Sequence, residues 1–400
     1  MKHDITARYI DVETALSHYE IEWRTLADET ASATLFMRPS VFIAWHREIA
    51  QNVKSTVIIV EQSGKVIGIL PVMRATNWRG PSMVPRIDYA PYDRALAPIS
   101  RRPFPVRQLS SVVSWRASSL RPTTLCHPRD RPQVFAAIAR LMAQTRQIDQ
   151  IVLPIVDGDD ETLWCDGFRA AGLTPYMHRL DRPLLTLETV RPFESILADS
   201  SRNFRRSVQR ANKAATAAGL AFTLFEGKTA VAAQMETFAH LATQSWKSAQ
   251  NDKDSGRIGM AYAGVQQAYL AQILGAGDPG LTPVMSVGYI GDRAIVASLY
   301  LCHGTTATGL LTFRSEELAA ASPGLLSMIP AINRFAEQGF QRIDMNATQG
   351  WMRHLTDTRQ VLSNLIGFRR TPRGILYSMI AKKRGLITPY APIDCPEQNL

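Results

Sequence analysis

Residues 284–290 (VMSVGYI), Gly291-Asp292, 294–302 (AIVASLYLC), 305–312 (TTATGLLT), Ser322-Pro323-Gly324 and 341–344 (QRID) decide how this chain is read. Two apolar, β-branched runs on either side of a Gly-Asp turn predict a β-hairpin, and the third run predicts the next strand. Ser322 suits a helix N-cap, Pro323 the first helical position and Gly339 the stop. Leu325, Met328, Ile329, Ile332, Phe335 and Ala336 recur at helical spacing and give the buried face of that helix. A last strand ends at Asp344. This order presents backbone N–H groups at a helix N-terminus beside an open sheet, which suits an anionic ligand.

Working outward, residues Ser201 to Ala218 predict a helix closed by Gly219. At ~100° per residue, Phe204, Val208, Ala211 and Ala215 fall within ~60° of one another, with Arg202, Arg206, Arg210 and Lys213 opposite. Leu220 to Glu226 predicts a strand, and Val231 to Lys247 and Tyr262 to Leu274 predict helices. In the first half, Val12 to Ala27 and Val41 to Ile49 have helical spacing. Thr56 to Val60 and Val66 to Leu70 flank a Ser63-Gly64 turn and predict another hairpin. Residues 74–131 are dense in Pro and Arg and predict a long excursion with one or two short strands, Asp88-Tyr89 among them. A helix opened by Pro132, a strand from Gln150 to Pro154 and a short helix from Glu161 to Ala171 follow.

The halves repeat each other. Residues 63–70 (SGKVIGIL) align with 292–299 (DRAIVASL), turn on turn. Pro132 precedes the strand at Ile151 by 19 residues, and Pro323 precedes the strand at Ile343 by 20. The larger gap in the first copy is the Pro/Arg excursion, so the compact second copy is the better candidate for chemistry.

Bulk properties set the bounds. Four hundred residues, 46% of them hydrophobic, predict two domains with real cores. A net charge of +10 favours an anionic partner or a solvated basic surface. Cys126, Cys165, Cys302 and Cys395 show no CxxC or short Cys/His spacing, so neither a metal site nor a disulfide framework is expected. No apolar leader and no eighteen-residue apolar run occurs, which predicts a soluble, cytoplasmic protein without a membrane span.

The order of hairpin, strand, Ser322-Pro323-Gly324 helix and strand with Asp344 resembles the acetyltransferase family of CelD-like cellulose-biosynthesis proteins. That family is similar in turn to the Fem-type peptidoglycan transferases. The resemblance runs from about Trp23 to about Arg370. It rests on 39–45 (PSVFIAW), Ile67-Gly68 before Pro71, Asp88-Tyr89, 201–210, Trp246-Lys247, Ala297, Ser322-Pro323-Gly324 and Asp344. It implies an α/β (α+β) fold of tandem GNAT-like domains, each a mixed, mostly antiparallel sheet flanked by helices. The first would span 1–185 with its insertion at about 74–131, the second and active one 186–385, with a tail at 386–400. It implies an N-acyltransferase that moves an acyl group, acetyl by preference, from acyl-CoA to an amine of a sugar, sugar nucleotide or envelope-polysaccharide precursor. Acyl-CoA would be a cosubstrate, with no permanently bound cofactor. Two alternatives stay open: Fem-type aminoacyl transfer from charged tRNA, and a non-catalytic partner of a polysaccharide synthesis system.

The family tends to follow the strand aspartate with Asp-x-Gly-x-Gly and then Tyr-Lys. Here those offsets hold Asn346, Thr348, Met352 and Arg353. Arginine stabilises an oxyanion or holds a phosphate but does not give up its proton in this role. Thioester aminolysis needs an anion site, an oxyanion donor and a proton acceptor. Ser322 and the Gly324 and Leu325 amides are the candidates for the first. Arg353 is the candidate for the second, and Asp344, with Glu316 and Glu317 behind it, for the third. Asp344 can equally be structural, paired with Arg342 or Arg353. Tyr300 is the candidate to protonate the leaving thiolate. Asp88, Tyr89, Arg206, Trp246 and Lys247 are the candidates to bind substrate, while His303 and His354 fit packing roles better.

Overall fold

The computed structural model describes residues 5–30, 35–50, 54–77, 105–111, 123–155, 158–179, 184–245, 260–346, 352, 354–356, 358–360, 363–385 and 387–389. The strands are β1 (Ile5–Asp11), β2 (Lys54–Gln62), β3 (Lys65–Asn77), β4 (Val106–Ser111), β5 (Leu125–Cys126), β6 (Gln150–Ile155), β7 (Thr174–Arg179), β8 (Leu184–Leu187), β9 (Leu220–Glu226), β10 (Thr282–Ile290), β11 (Arg293–His303), β12 (Thr306–Arg314), β13 (Arg342–Asp344), β14 (Thr358–Gln360), β15 (Ser363–Phe368) and β16 (Thr388–Pro389). The helices are α1 (Val12–Glu29), α2 (Pro39–Ala44), α3 (Arg131–Gln144), α4 (Gly158–Ala170), α5 (Phe193–Asp199), α6 (Arg202–Ala217), α7 (Lys228–Ala232), α8 (Met235–Gln244), α9 (Met260–Gly275), α10 (Pro323–Leu326), α11 (Met328–Glu337) and α12 (Pro372–Lys383).

Two mixed sheets result. One has the order β1-β2-β3-β4-β6-β15-β7-β16 with β5 beside β3, the other β14-β8-β13-β12-β11-β10-β9. Each contains a single parallel pairing among the described residues, β4 with β6 and β12 with β13. In both, an antiparallel meander leads through a helical segment to that parallel strand, so the duplicated order is visible in three dimensions. The hairpins even share an irregularity. Register shifts leave one extra residue near the turn, Ile67 in β3 and Ile295 in β11. That correspondence sets Ser63-Gly64 on Gly291-Asp292, one residue away from the alignment expected from sequence. Because strand side chains alternate with period two, a one-residue slip exchanges the faces.

The Pro/Arg excursion is smaller than expected. Residues 74–77 extend β3, Arg131 opens α3, and β4 is an internal strand of the first sheet. β4 was hard to read because Gln108, Ser110 and Ser111 are buried in it, so it has no apolar alternation.

The chain does not keep each half to its own sheet. The expected division at 185/186 passes through β8, which lies in the second sheet. Residues after 362, expected in the second unit, return to the first sheet as β15, between β6 and β7. Gly367 makes this insertion possible: a Cβ there would lie 2.7 Å from Phe168 Cε2 on α4. Beyond the strand, Arg369 donates to the carbonyls of Ala143 and Thr145 at 2.8 and 2.6 Å.

The halves also share a core. Trp23, Phe42 and Trp45 belong to one buried cluster with Phe238, Tyr269, Met285 and Phe313. At its edge Arg38 and Asp278, each 2% exposed, form a two-pronged ion pair with Nε–Oδ2 and Nη2–Oδ1 both 3.0 Å. Ser40 Oγ and the Gly280 amide also donate to that carboxylate, at 2.5 and 2.9 Å. Asp28 and His303 complete the cluster around Arg38 Nη1. A Cβ on residue 280 would lie 2.7 Å from Arg38 Nη2, so the guanidinium requires glycine there.

Burial by itself would raise the Asp278 pKa, but the hydrogen bonds from Arg38, Ser40 and the Gly280 amide outweigh it and lower it from 3.8 to about 2. Asp278 therefore contributes its full stabilisation above the unfolded value and loses it as pH falls towards the folded one. Removing one partner of a buried pair strands the other, at a cost of ~3–5 kcal/mol. Urea unfolding of Asp278→Asn at neutral pH is expected to show that loss. Its deficit relative to wild type is expected to narrow as the pH drops from 3.8 to about 2.

Candidate active site

β12 and β13 run together only from Thr306 opposite Arg342 to Thr308 opposite Asp344. β12 then continues to Arg314, while the other chain turns out of the sheet. The Met345 amide bonds Leu185 O at 3.0 Å. Asn346 takes φ 45°, a left-handed conformation asparagine tolerates better than most residues. Asp344 Oδ1 accepts the Asn346 amide at 2.9 Å and holds that turn. On its other edge β12 bulges: Leu299 faces Leu311 and Tyr300 faces Gly309, leaving Leu310 as the extra residue. A bulge takes backbone groups out of the ladder and re-aims them. Together these departures open a cleft of ≈ 640 Å³, a size suited to a small molecule.

The cleft is lined by Leu299, Tyr300 and 309–312 from the sheet, by Asn203, Phe204 and Ser207 from the start of α6, and by Ser322, Gly324, Leu325 and Met328 from the helix after β12. Ser201 caps α6 by accepting the Phe204 amide at 3.3 Å. Phe204 stacks on His354, with ring centroids 4.7 Å apart. Three hydroxyls pin the opposite wall. Ser298 Oγ lies 2.9 Å from Thr312 Oγ1 and 2.7 Å from Ser327 Oγ, and Ser327 donates to Gly324 O at 3.0 Å. Ser298 and Ser327 are buried, so the chain fixes α10 against β11 and β12.

Arg314 supplies the charge. It ends β12 and faces the cleft, with Nη2 3.7 Å from Glu316 Oε1. Its Nη1 is buried and has no hydrogen-bond partner among the described residues. A buried N–H without an acceptor is costly, so an anion bound here would complete an unmet bond.

The expected site residues divide into three groups. Tyr300, Ser322, Gly324 and Leu325 line the cleft. Asp344 and Arg206 do not: Asp344 is buried and engaged with Asn346, and Arg206 is exposed, while Asn203, Phe204 and Ser207 supply the lining from α6. Asp88, Tyr89, Trp246, Lys247 and Arg353 lie outside the described residues, although Ser245, Met352 and His354 beside them line the cleft.

Two expectations are corrected in detail. Ser322 does not cap the helix through its side chain; it adopts φ 47°, because a 3₁₀ segment runs directly into Pro323 and the residue before proline is kept out of the right-handed helical region. The Leu325 amide is taken by Ser322 O at 2.9 Å and is not open to a ligand. Burial pushes the Tyr300 hydroxyl pKa up, so it is protonated at neutral pH and can donate. Glu317 is tied to Arg293 at 2.7 Å, and Glu316 to Arg314. Burial raises the Cys302 thiol to about 12, which leaves no thiolate nucleophile on β11. Arg314, Ser298 and Ser327 were missed by sequence reasoning. The available signals were an arginine at the end of a predicted strand and serines interrupting apolar runs.

Residues 202–351 match the family described as "Acetyltransferase (GNAT) domain". That segment thus carries a GNAT-type acetyltransferase domain, which begins at the first residue of α6. No curated protein matches the chain. Among solved structures it is similar to FemX, with 12% identity, TM-score 0.53 and coverage of 94% of this chain and 99% of that one. It is also similar to the C-terminal domain of a putative lysylphosphatidylglycerol synthetase from Agrobacterium fabrum, with 11% identity, TM-score 0.50 and coverage of 91% and 96%. A tandem GNAT protein from the clavulanic acid biosynthesis pathway superposes more loosely, with 12% identity, TM-score 0.47 and coverage of 90% and 98%. At these identities the likeness is one of fold.

The hydroxyl chain makes a quantitative prediction. Ser327→Ala is expected to lower stability by ~1 kcal/mol, because it removes a buried hydrogen bond and leaves the Ser298 hydroxyl with Thr312 alone. The double variant Ser298→Ala/Ser327→Ala is expected to cost less than the sum of the singles, as read by urea unfolding of all four proteins.

Proposed function

We propose that the chain is an acyl-CoA-dependent N-acyltransferase acting on an amine of a sugar, sugar nucleotide or other envelope-polysaccharide precursor, as its resemblance to the CelD-like family implies. The observation that carries this reading is the buried Nη1 of Arg314, without a hydrogen-bond partner among the described residues, in the cleft where β12 and β13 part. It sits within a GNAT-type domain, and a phosphate of the acyl carrier is the acceptor it lacks. The bulge at Leu310 turns backbone groups towards the same space, where the pantetheine amides find partners.

In the reaction the acceptor nitrogen attacks the thioester carbonyl, the C–N bond forms and the C–S bond breaks. The nitrogen loses a proton and the departing sulfur gains one. Tyr300, kept protonated by burial, is the donor to sulfur. Asp344 acts in this reading through the turn it holds: its carboxylate fixes Asn346, which with Met345 forms the cleft wall. Bulk water reaching the open cleft removes the proton from the ammonium. Trp246, Lys247 and Arg353, adjacent in sequence to lining residues, are the proposed contacts to the acceptor.

Acetyl-CoA is expected to raise the melting temperature of the full chain. Loss of the phosphate contact in Arg314→Ala is expected to weaken that binding roughly ten- to a hundredfold, with Arg314→Lys recovering part of it. Untargeted mass spectrometry of a cell extract incubated with protein and acetyl-CoA should show a metabolite gaining one acetyl mass. No shift with any acyl-CoA would remove the reading. Salt-sensitive binding of tRNA in place of acyl-CoA would favour aminoacyl transfer.

A further inference from the structure

The helix α12 is apolar on two opposite sides. Gly374, Tyr377 and Ala381 are buried against the first sheet. At ~100° per residue, Pro372, Ile375, Leu376 and Met379 occupy a sector of ~100° on the far side of the helix. Ile375, Leu376 and Met379 are 51%, 47% and 62% exposed, and together with Ile21 they are the large hydrophobic side chains left open among the described residues. Scattered exposed apolar residues are ordinary, but three on one face of one short helix form a patch.

The charge along this segment of the chain has one sign. From residue 358 to residue 393 the sequence contains no Asp or Glu, while Arg359, Arg369, Arg370, Arg373, Lys382, Lys383 and Arg384 fall within it. Arg370 and Arg373 stand at the start of α12, and Lys382, Lys383 and Arg384 at its end; all five are exposed. Among the described residues no carboxylate forms an ion pair with any of these five. Lys382 lies over the Tyr176 ring at 5.1 Å, which fixes its stem beside the helix. Cations at both ends and apolar side chains between them, along ~18 Å of helix, match the layering of a bilayer surface: acyl chains below, phosphates above. Long basic side chains reach the phosphates while their stems stay with the apolar layer.

We propose that α12 docks this protein on a membrane surface rich in anionic phospholipid, with Ile375, Leu376 and Met379 inserted beneath the headgroups and the flanking Arg and Lys side chains on lipid phosphates. This is peripheral attachment. No helix among the described residues is long and apolar enough to cross a membrane. The proposal is independent of the acyl-transfer reading, since α12 belongs to the other sheet.

Flotation of the full chain with extruded vesicles tests it. Binding is expected to vesicles of mixed phosphatidylglycerol and phosphatidylcholine, not to phosphatidylcholine alone, and to weaken as salt is raised. The double variants Ile375→Ser/Met379→Ser and Lys382→Glu/Lys383→Glu should each reduce bound protein by roughly tenfold or more, with melting temperatures near that of wild type. The first pair is highly exposed, so its loss of binding reads the surface and not the fold. No flotation with anionic vesicles, or flotation of both variants equal to that of wild type, overturns the proposal. So does a wild-type dimer, measured by light scattering, that Ile375→Ser/Met379→Ser converts to a monomer without any vesicle binding. That result would make the face an interface between copies of the chain.

Discussion

The two-pronged ion pair between Arg38 and Asp278 is the constraint on which the relation between the two sheets depends. Both groups are almost wholly removed from water; Arg38 offsets the charge of Asp278, and Asp278 with Asp28 offsets that of Arg38. Asp278 lies between α9 and β10, so the pair ties the segment before α2 to the entrance of the second sheet. Ser40, Gly280 and Lys228 converge on the same short segment, the last through the Asp278 carbonyl at 2.9 Å. The apolar cluster beneath it gives the halves cohesion without direction. The ion pair supplies the direction, since a guanidinium and a carboxylate meet both prongs in one relative orientation.

A second tie is topological. β15 enters the first sheet from the far end of the chain and has a full ladder on both sides. The first sheet can therefore not be completed without residues from both ends of the sequence. Asp149, buried beside this junction, stays ionised: burial opposes its charge, but Arg107 donates from its side chain and its backbone and keeps the pKa lowered. The second sheet carries the cleft, and it gains a rigid neighbour in this way.

The cleft and the surface of α12 divide the positive charge of the chain into different tasks. Inside, one arginine at a strand end faces the cleft, and its value lies in Nη1 having no hydrogen-bond acceptor among the described residues. Outside, a run without carboxylates keeps its cations available to a broad anionic surface. The basic back of α6 has neither property: Arg206 and its helical neighbours are exposed, and the cleft is lined from the other side of that helix. Net charge alone does not separate these cases.

Local physics made much of this protein legible in its sequence. Strand alternation, the Gly291-Asp292 turn, the Ser201-capped amphipathic helix and the repeat of hairpin, helix and strand depend on neighbours within a few residues. They were read with small errors: one residue of register, and a cap at Ser322 that proline turned into a left-handed link. The GNAT-type domain follows from that order. Features that depend on distant partners were not legible. β4 hid because Gln108, Ser110 and Ser111 are buried in it beside Val106 and Leu109, and β15 because nothing local says which sheet it joins. Arg314 looked like any strand-end arginine until the enclosure of its Nη1 became visible. Asp344 shows the limit most plainly: its type and strand-end position are in the sequence, but its engagement by the Asn346 amide is not. Sequence patterns record what each residue can do. Only tertiary packing decides which of those bonds are already made and which remain for a ligand.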